Sequence, residues 1–273
     1  MDWLIDPFSL GFMQRALLAG LLAVITTSLV GTWVVLRGLS FLGDALAHGV
    51  LPGIALGVLL GFDLTIGAIA SALAMVIGIN LVHRYSRLSE DTGIGLLFVG
   101  MLAAGVVIIS RTASYSGSLT GILFGDALGA TGSDVVVLLI GALVALVMSV
   151  VLYRGFLALS FNEQKAQMLG LHPRFAHIAM LMLVTMAVVT SFRTVGTLLV
   201  FGLLVAPPAA ATLVARRVPV MMMVATAVGG LSVLGGLLIS YHANTAASAT
   251  IAGLAVAIFF LVLTVRGVMS GAS

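Results

Sequence analysis

Residues 37–57 read RGLSFLGDALAHGVLPGIALG. After Arg37, the only ionisable side chains in this apolar, glycine-studded run are Asp44 and His48. A spacing of four puts both on one face of a helix, about 6 Å apart. A carboxylate and an imidazole so placed can hold a divalent transition metal or relay protons. An ionisable group at bilayer depth costs at least about 2.5 kcal/mol, which makes it a functional candidate by default. The plainer reading makes Asp44 a helix-start carboxylate, favoured by the helix dipole and hydrogen-bonded to His48. Pro52 lacks the backbone donor that would bond four residues back, so a break is expected there, with a carbonyl left open near His48.

The rest of the chain supplies the membrane. Of its 273 residues, 61% are hydrophobic and 8% charged. Soluble domains run roughly 25% charged, so an ordinary soluble fold is excluded. Apolar segments fall at roughly 16–36, 43–61, 64–82, 92–110, 133–153, 175–192, 195–215, 219–239 and 249–267. Each is about long enough to cross a bilayer as a helix. The expected fold class is therefore an all-α polytopic membrane protein of eight or nine spans with short loops, one domain over residues 1–273. Residues 111–132, RTASYSGSLTGILFGDALGATG, are too short and too broken for a span and read as a re-entrant or interfacial segment. Gly57/Gly61, Gly229-Gly230 and Gly235-Gly236 suit close helix packing in lipid. Met1–Asp6 carries two acids and no basic run, so a cleaved signal peptide is not expected.

Basic residues set the orientation. If all nine segments span and 154–174 is cytoplasmic, then Arg37, Arg84, Arg87, Arg154, Lys165, Arg174, Arg216, Arg217 and Arg266 lie inside. Arg15, Arg111 and Arg193 lie outside, giving nine against three of the 12 basic residues and a cytoplasmic C-terminus. The net charge of +3 reads as this loop bias rather than as affinity for nucleic acid.

Several functions are excluded or weakened. There is no Cys, so thiolate ligation is out and a metal would use His and carboxylates. The only Lys, Lys165, lies between Gln164 and Ala166, so no P-loop is present and ATP energy must come from another subunit. The chain is not expected to be an enzyme: no second His, Asp or Glu lies centrally in another span. Met221-Met222-Met223 point to different helix faces and read as core filling. His83 and Arg84 read as interfacial anchors, and His172 and His177 need no metal. Asp126 is a candidate for lining an entry path, against a loop or helix-end role.

The most polar internal stretch is 161–174, FNEQKAQMLGLHPR. Asn162 can cap a short helix, Glu163 suits its first turn, and Gly170 can end it. Such a helix on the basic side, within a loop of about 160–174, suits docking of a cytoplasmic partner.

The 37–57 stretch resembles the signature of the zinc/manganese permeases of bacterial ABC importers. Ser191–Ala211, SFRTVGTLLVFGLLVAPPAAA, is similar to that family's "S…VGxLLVxALLVxPAA" segment. The resemblance covers about residues 12–268. It implies a homodimeric permease in the bacterial inner membrane, a separate ATPase subunit and an extracytoplasmic metal-binding protein. Zn2+ or Mn2+ would be cargo, with zinc favoured because a borderline ion accepts imidazole readily, and no cofactor would be permanently bound. Asp44 and His48 would be metal ligands. Lys165, Ala166 and Gly170, with Asn162 and Glu163, would couple to the ATPase. Pro52, Pro207 and Pro208 would mark helix breaks. The family's last outer turn usually reads "SYxxDxPxG", whereas this chain has Ser240-Tyr241-His242-Ala243-Asn244. Asn244 stands where the acid would be, and His242 is a candidate substitute ligand. Rival readings are an iron–siderophore or vitamin permease, and a stand-alone carrier with Asp44/His48 as proton relay.

Overall fold

The computed structural model describes residues 6–86, 88–111, 127–161 and 172–271. Its helices are α1 (Gly11–Leu36), α2 (Phe41–Gly49), α3 (Leu51–Leu60), α4 (Leu64–Tyr85), α5 (Glu90–Ile109) and α6 (Gly132–Val151). There follow α7 (Tyr153–Phe161), α8 (Pro173–Val195), α9 (Thr197–Val214), α10 (Val218–Ala243) and α11 (Ala247–Gly271). Two short 3-10 turns occupy Asp6–Ser9 and Ala127–Gly129. Among the described residues, nine stretches are long and apolar enough to cross a membrane, with α2 and α3 together forming the second. They coincide with the nine apolar segments of the sequence.

Polar punctuation fixes the helix starts. The Asp63 carboxylate accepts the amides of Thr65 and Ile66, capping α4. Ser89 accepts the Thr92 amide at the start of α5. Thr131 and Asp134 close a reciprocal capping box on α6. Asn244 ends α10 in the left-handed region, φ 51°, a conformation Asn tolerates better than most side chains.

The inside of the bundle is built from the first two spans. In α1 and in α2–α3, 72% of the most apolar stretch is buried, against 22% in α5 and α11. Helix α1 packs against α6, α8, α9 and α10, while α2 packs against α4, α5, α8 and α9. Trp33 of α1 is buried, with ring centroids 5.5 Å from Tyr153 and 5.4 Å from Phe156. That contact seats α7, a short helix the apolar pattern does not reveal: it is amphipathic, burying Phe156 and Leu159. The tight-packing reading of the glycines also has a structural counterpart, since a β-carbon on Gly229 would lie 2.7 Å from a Val24 methyl.

Two expectations change. The break in the second span falls at Val50, between α2 and α3, with Pro52 in the first turn of α3. Proline is well tolerated there, where its missing donor is needed least. Pro207 and Pro208 do not break a helix: α9 runs through both. Their missing amides would ordinarily bond the carbonyls of Leu203 and Leu204. The Leu204 carbonyl instead lies against Gly31 of α1, so closely that any side chain at Gly31 would collide with it. Neighbouring helices support such interrupted ladders in lipid.

The coupling residues Asn162, Glu163, Lys165, Ala166 and Gly170 lie outside the described residues, as do Asp126 and most of the 111–132 segment.

Candidate functional site

Along α2, Leu42, Gly43, Ala45, Leu46, Ala47 and Gly49 are buried. Phe41, Asp44 and His48 are partly exposed, and their spacing places them on a single stripe of the helix. The helix is enclosed by its neighbours everywhere except along this stripe. Gly43 makes the enclosure possible: a side chain there would run into Leu204 of α9.

The predicted pair is brought together. His48 Nδ1 lies 3.3 Å from Asp44 Oδ1 and 3.1 Å from the Asp44 backbone carbonyl. Two acceptors converge on one ring nitrogen, which is satisfied when Nδ1 carries the proton and donates. Nε2 of the neutral ring is then the free lone pair, the form in which imidazole binds metals. Asp44 thus orients His48 as a carboxylate orients a metal-bound histidine, while its second oxygen is available to an ion. Phe98 of α5 stands edge-on to His48 at 5.5 Å and to Phe41 at 5.2 Å, walling the stripe with aromatic surface.

The kink beneath His48 is braced from outside the helix. Ser71 of α4 donates to the Gly49 carbonyl at 2.7 Å, and the Ile54 amide resumes the ladder on the Val50 carbonyl at 3.1 Å. The carbonyl expected to be open near His48 is its own, and the Val50 amide turns back to it. Pro52 therefore loosens the backbone at this point without leaving that oxygen bare.

A second cluster was not read from the sequence. Arg37, at the end of α1, donates to Glu90 Oε2 of α5 at 3.2 Å and to His177 Nδ1 of α8 at 2.7 Å. His177 Nε2 faces Glu90 Oε1 at 3.6 Å, and the His177 ring stacks on His83 of α4 with centroids 5.4 Å apart. Four helices meet through these residues. His83 is itself exposed, as an interfacial anchor would be, with its ring stacked on the buried His177, while its neighbour Arg84 lies 5.4 Å over the Tyr85 ring. The available signal was positional: Arg37, His83, Glu90 and His177 all fall at span ends on the same, basic side.

His242 is exposed at the far end of α10, edge-on to Tyr241 at 5.2 Å. Among the described residues, no three His, Cys, Asp or Glu side chains are arranged to hold a metal, so His242 does not join the pair.

A model of the ABC 3 transport family matches residues 9–266. The chain belongs to that family. It is 36% identical over 251 residues to the manganese transport system membrane protein MntC of Listeria innocua, covering 92% of this chain and 89% of the relative. It is 35% identical over 257 residues to the chelated iron transport system membrane protein YfeD of Yersinia pestis, covering 94% and 86%. Among solved structures it resembles PsaBC of Streptococcus pneumoniae, in complex with Fab, with a TM-score of 0.83 and 32% identity over 96% of this chain and 94% of the other. As an ABC 3 family member it is a multi-pass membrane permease, and the nine apolar helices are its membrane domain.

Proposed function

We propose that this permease is the membrane subunit of an importer for a divalent transition metal, with Asp44 and His48 on the ion's path. The observation that carries the reading is the Asp44/His48 stripe. A helix enclosed elsewhere opens along one line, and that line bears a carboxylate and an imidazole oriented to offer a lone pair. Relatives named for manganese and iron support the substrate class.

Two side chains supply only part of a coordination shell, so the ion keeps water or takes further ligands. A second copy of the chain, with its own Asp44 and His48, would provide these between protomers. A partial shell also suits transport, since a site that binds too tightly does not release its ion. Manganese is the first choice of cargo, on the names of the relatives. Zinc is the second, because imidazole suits it well, and a His–carboxylate set accepts either. An extracytoplasmic binding protein would deliver the ion. A cytoplasmic ATPase docked on 162–170 would drive transport.

The basic side is assigned to the cytoplasm of a bacterial inner membrane, with the C-terminus inside and, for nine spans, the N-terminus outside. Ala246 then faces out. A single Cys at Ala246 is expected to react with an impermeant thiol reagent added outside, and labelling only from inside would invert this topology. Cargo is tested by uptake of radioactive Mn2+ into proteoliposomes holding the permease, its ATPase and its binding protein, with Zn2+ and Fe2+ as competitors. ATP-dependent Mn2+ uptake is expected. Accumulation of none of the three would refute metal import.

A further inference from the structure

On the basic side of the bundle, α9 and α11 enclose a groove of about 570 Å³. Its walls include Leu213, Val214, Leu261 and Val265, and its rim carries Arg216 and Arg266. The apolar walls are open to the surroundings: Val214, Leu261 and Val265 are 60%, 63% and 52% exposed. Both arginines are exposed, and among the described residues no carboxylate pairs with either. Leu261 lies five residues before Arg266 on α11, about 7.5 Å deeper along the helix. The groove is thus apolar at membrane depth and doubly cationic at the membrane surface.

We infer that this groove binds one anionic phospholipid, its phosphate between Arg216 and Arg266 and its upper acyl chains along Leu213, Val214, Leu261 and Val265. Charge complementarity and depth together select this occupant. Two exposed guanidiniums, Arg216 in the connection after α9 and Arg266 on α11, match a phosphate oxygen set, and Arg is the residue best shaped for it. A basic pocket between membrane helices on the cytoplasmic side is where acidic headgroups bind. A free phosphate would use the rim and leave the walls uncovered, whereas a lipid covers both. The inference does not require metal import. It rests on the orientation above only for which leaflet supplies the lipid.

The test uses the purified full chain in detergent, titrated with phosphatidylglycerol or phosphatidylcholine and followed by native mass spectrometry. One phosphatidylglycerol is expected to bind in preference to phosphatidylcholine. Affinity should fall about fivefold per arginine removed, so roughly 25-fold in the Arg216→Gln/Arg266→Gln double variant. Arg266→Gln alone gives the fivefold step if the double variant accumulates poorly. Arg154→Gln, an exposed arginine elsewhere, should bind as the parent does. Equal binding by parent and variants, or equal loss in Arg154→Gln, would overturn the site. So would full competition by inorganic phosphate, or a change of oligomeric state in the double variant, which would make the occupant a second copy.

Discussion

His48 and His177 each face a carboxylate, at 3.3 and 3.6 Å, yet their surroundings commit them to different work. His48 Nδ1 is engaged by Asp44 within its own helix turn, and the residue lies on the partly exposed stripe of α2. His177 Nδ1 takes a hydrogen bond from Arg37, so its proton sits on Nε2, which points at Glu90. No lone pair is left for an ion, and a guanidinium already balances the carboxylate. The first arrangement ties no two helices together and can exchange partners. The second ties α1, α5 and α8, with His83 of α4 stacked on it, and holds the basic ends of four helices. Residue type alone does not make a metal site; what decides is whether a cation is already built in.

The contrast is broken most strongly at Glu90. Glu90→Ala leaves Arg37, a tenth exposed, without its counter-charge, and is expected to destabilise the chain by about 3 kcal/mol. Thermal unfolding in detergent measures this. Replacing Arg37 and Glu90 together by Met should recover most of the loss, and a double variant as unstable as the single would mean that shape rather than charge is at stake. Next in size is Ser71→Ala, which strips the Gly49 carbonyl at the kink of its partner and should cost about 1–2 kcal/mol. An unchanged melting curve would show the kink to be held by packing alone. Smallest is Asn244→Ala, about 1 kcal/mol, because Ala is strained at φ 51°. Asn244→Gly should be neutral, whereas equal losses in both would assign the amide side chain a contact role.

The sequence conveyed the two regions unequally. Asp44 and His48 stood out because charge is scarce in an apolar chain and helical spacing is local. The spans were legible for the same reason: the apolar run 92–110 became Glu90–Ile109, and 249–267 became Ala247–Gly271. The Arg37 cluster was hidden because its members lie up to 140 residues apart and meet only through packing. Phe98 and Ser71, which wall and brace the pair, carry no signal that distinguishes them from other Phe and Ser residues in spans. Pro207 and Pro208 misled because a proline removes a donor but does not say whether a neighbouring helix, here at Gly31, supports the ladder. Short α7 escaped because its nine residues are too few to register as a span.

The central claim is that Asp44 and His48 serve transport and not stability. Asp44→Asn and His48→Ala should each reduce ATP-driven Mn2+ uptake at least 100-fold in proteoliposomes, while the unfolding free energy changes by less than about 1 kcal/mol, the scale of one exposed helix-end charge. Parental uptake rates in both variants, with the same melting behaviour, would contradict the account.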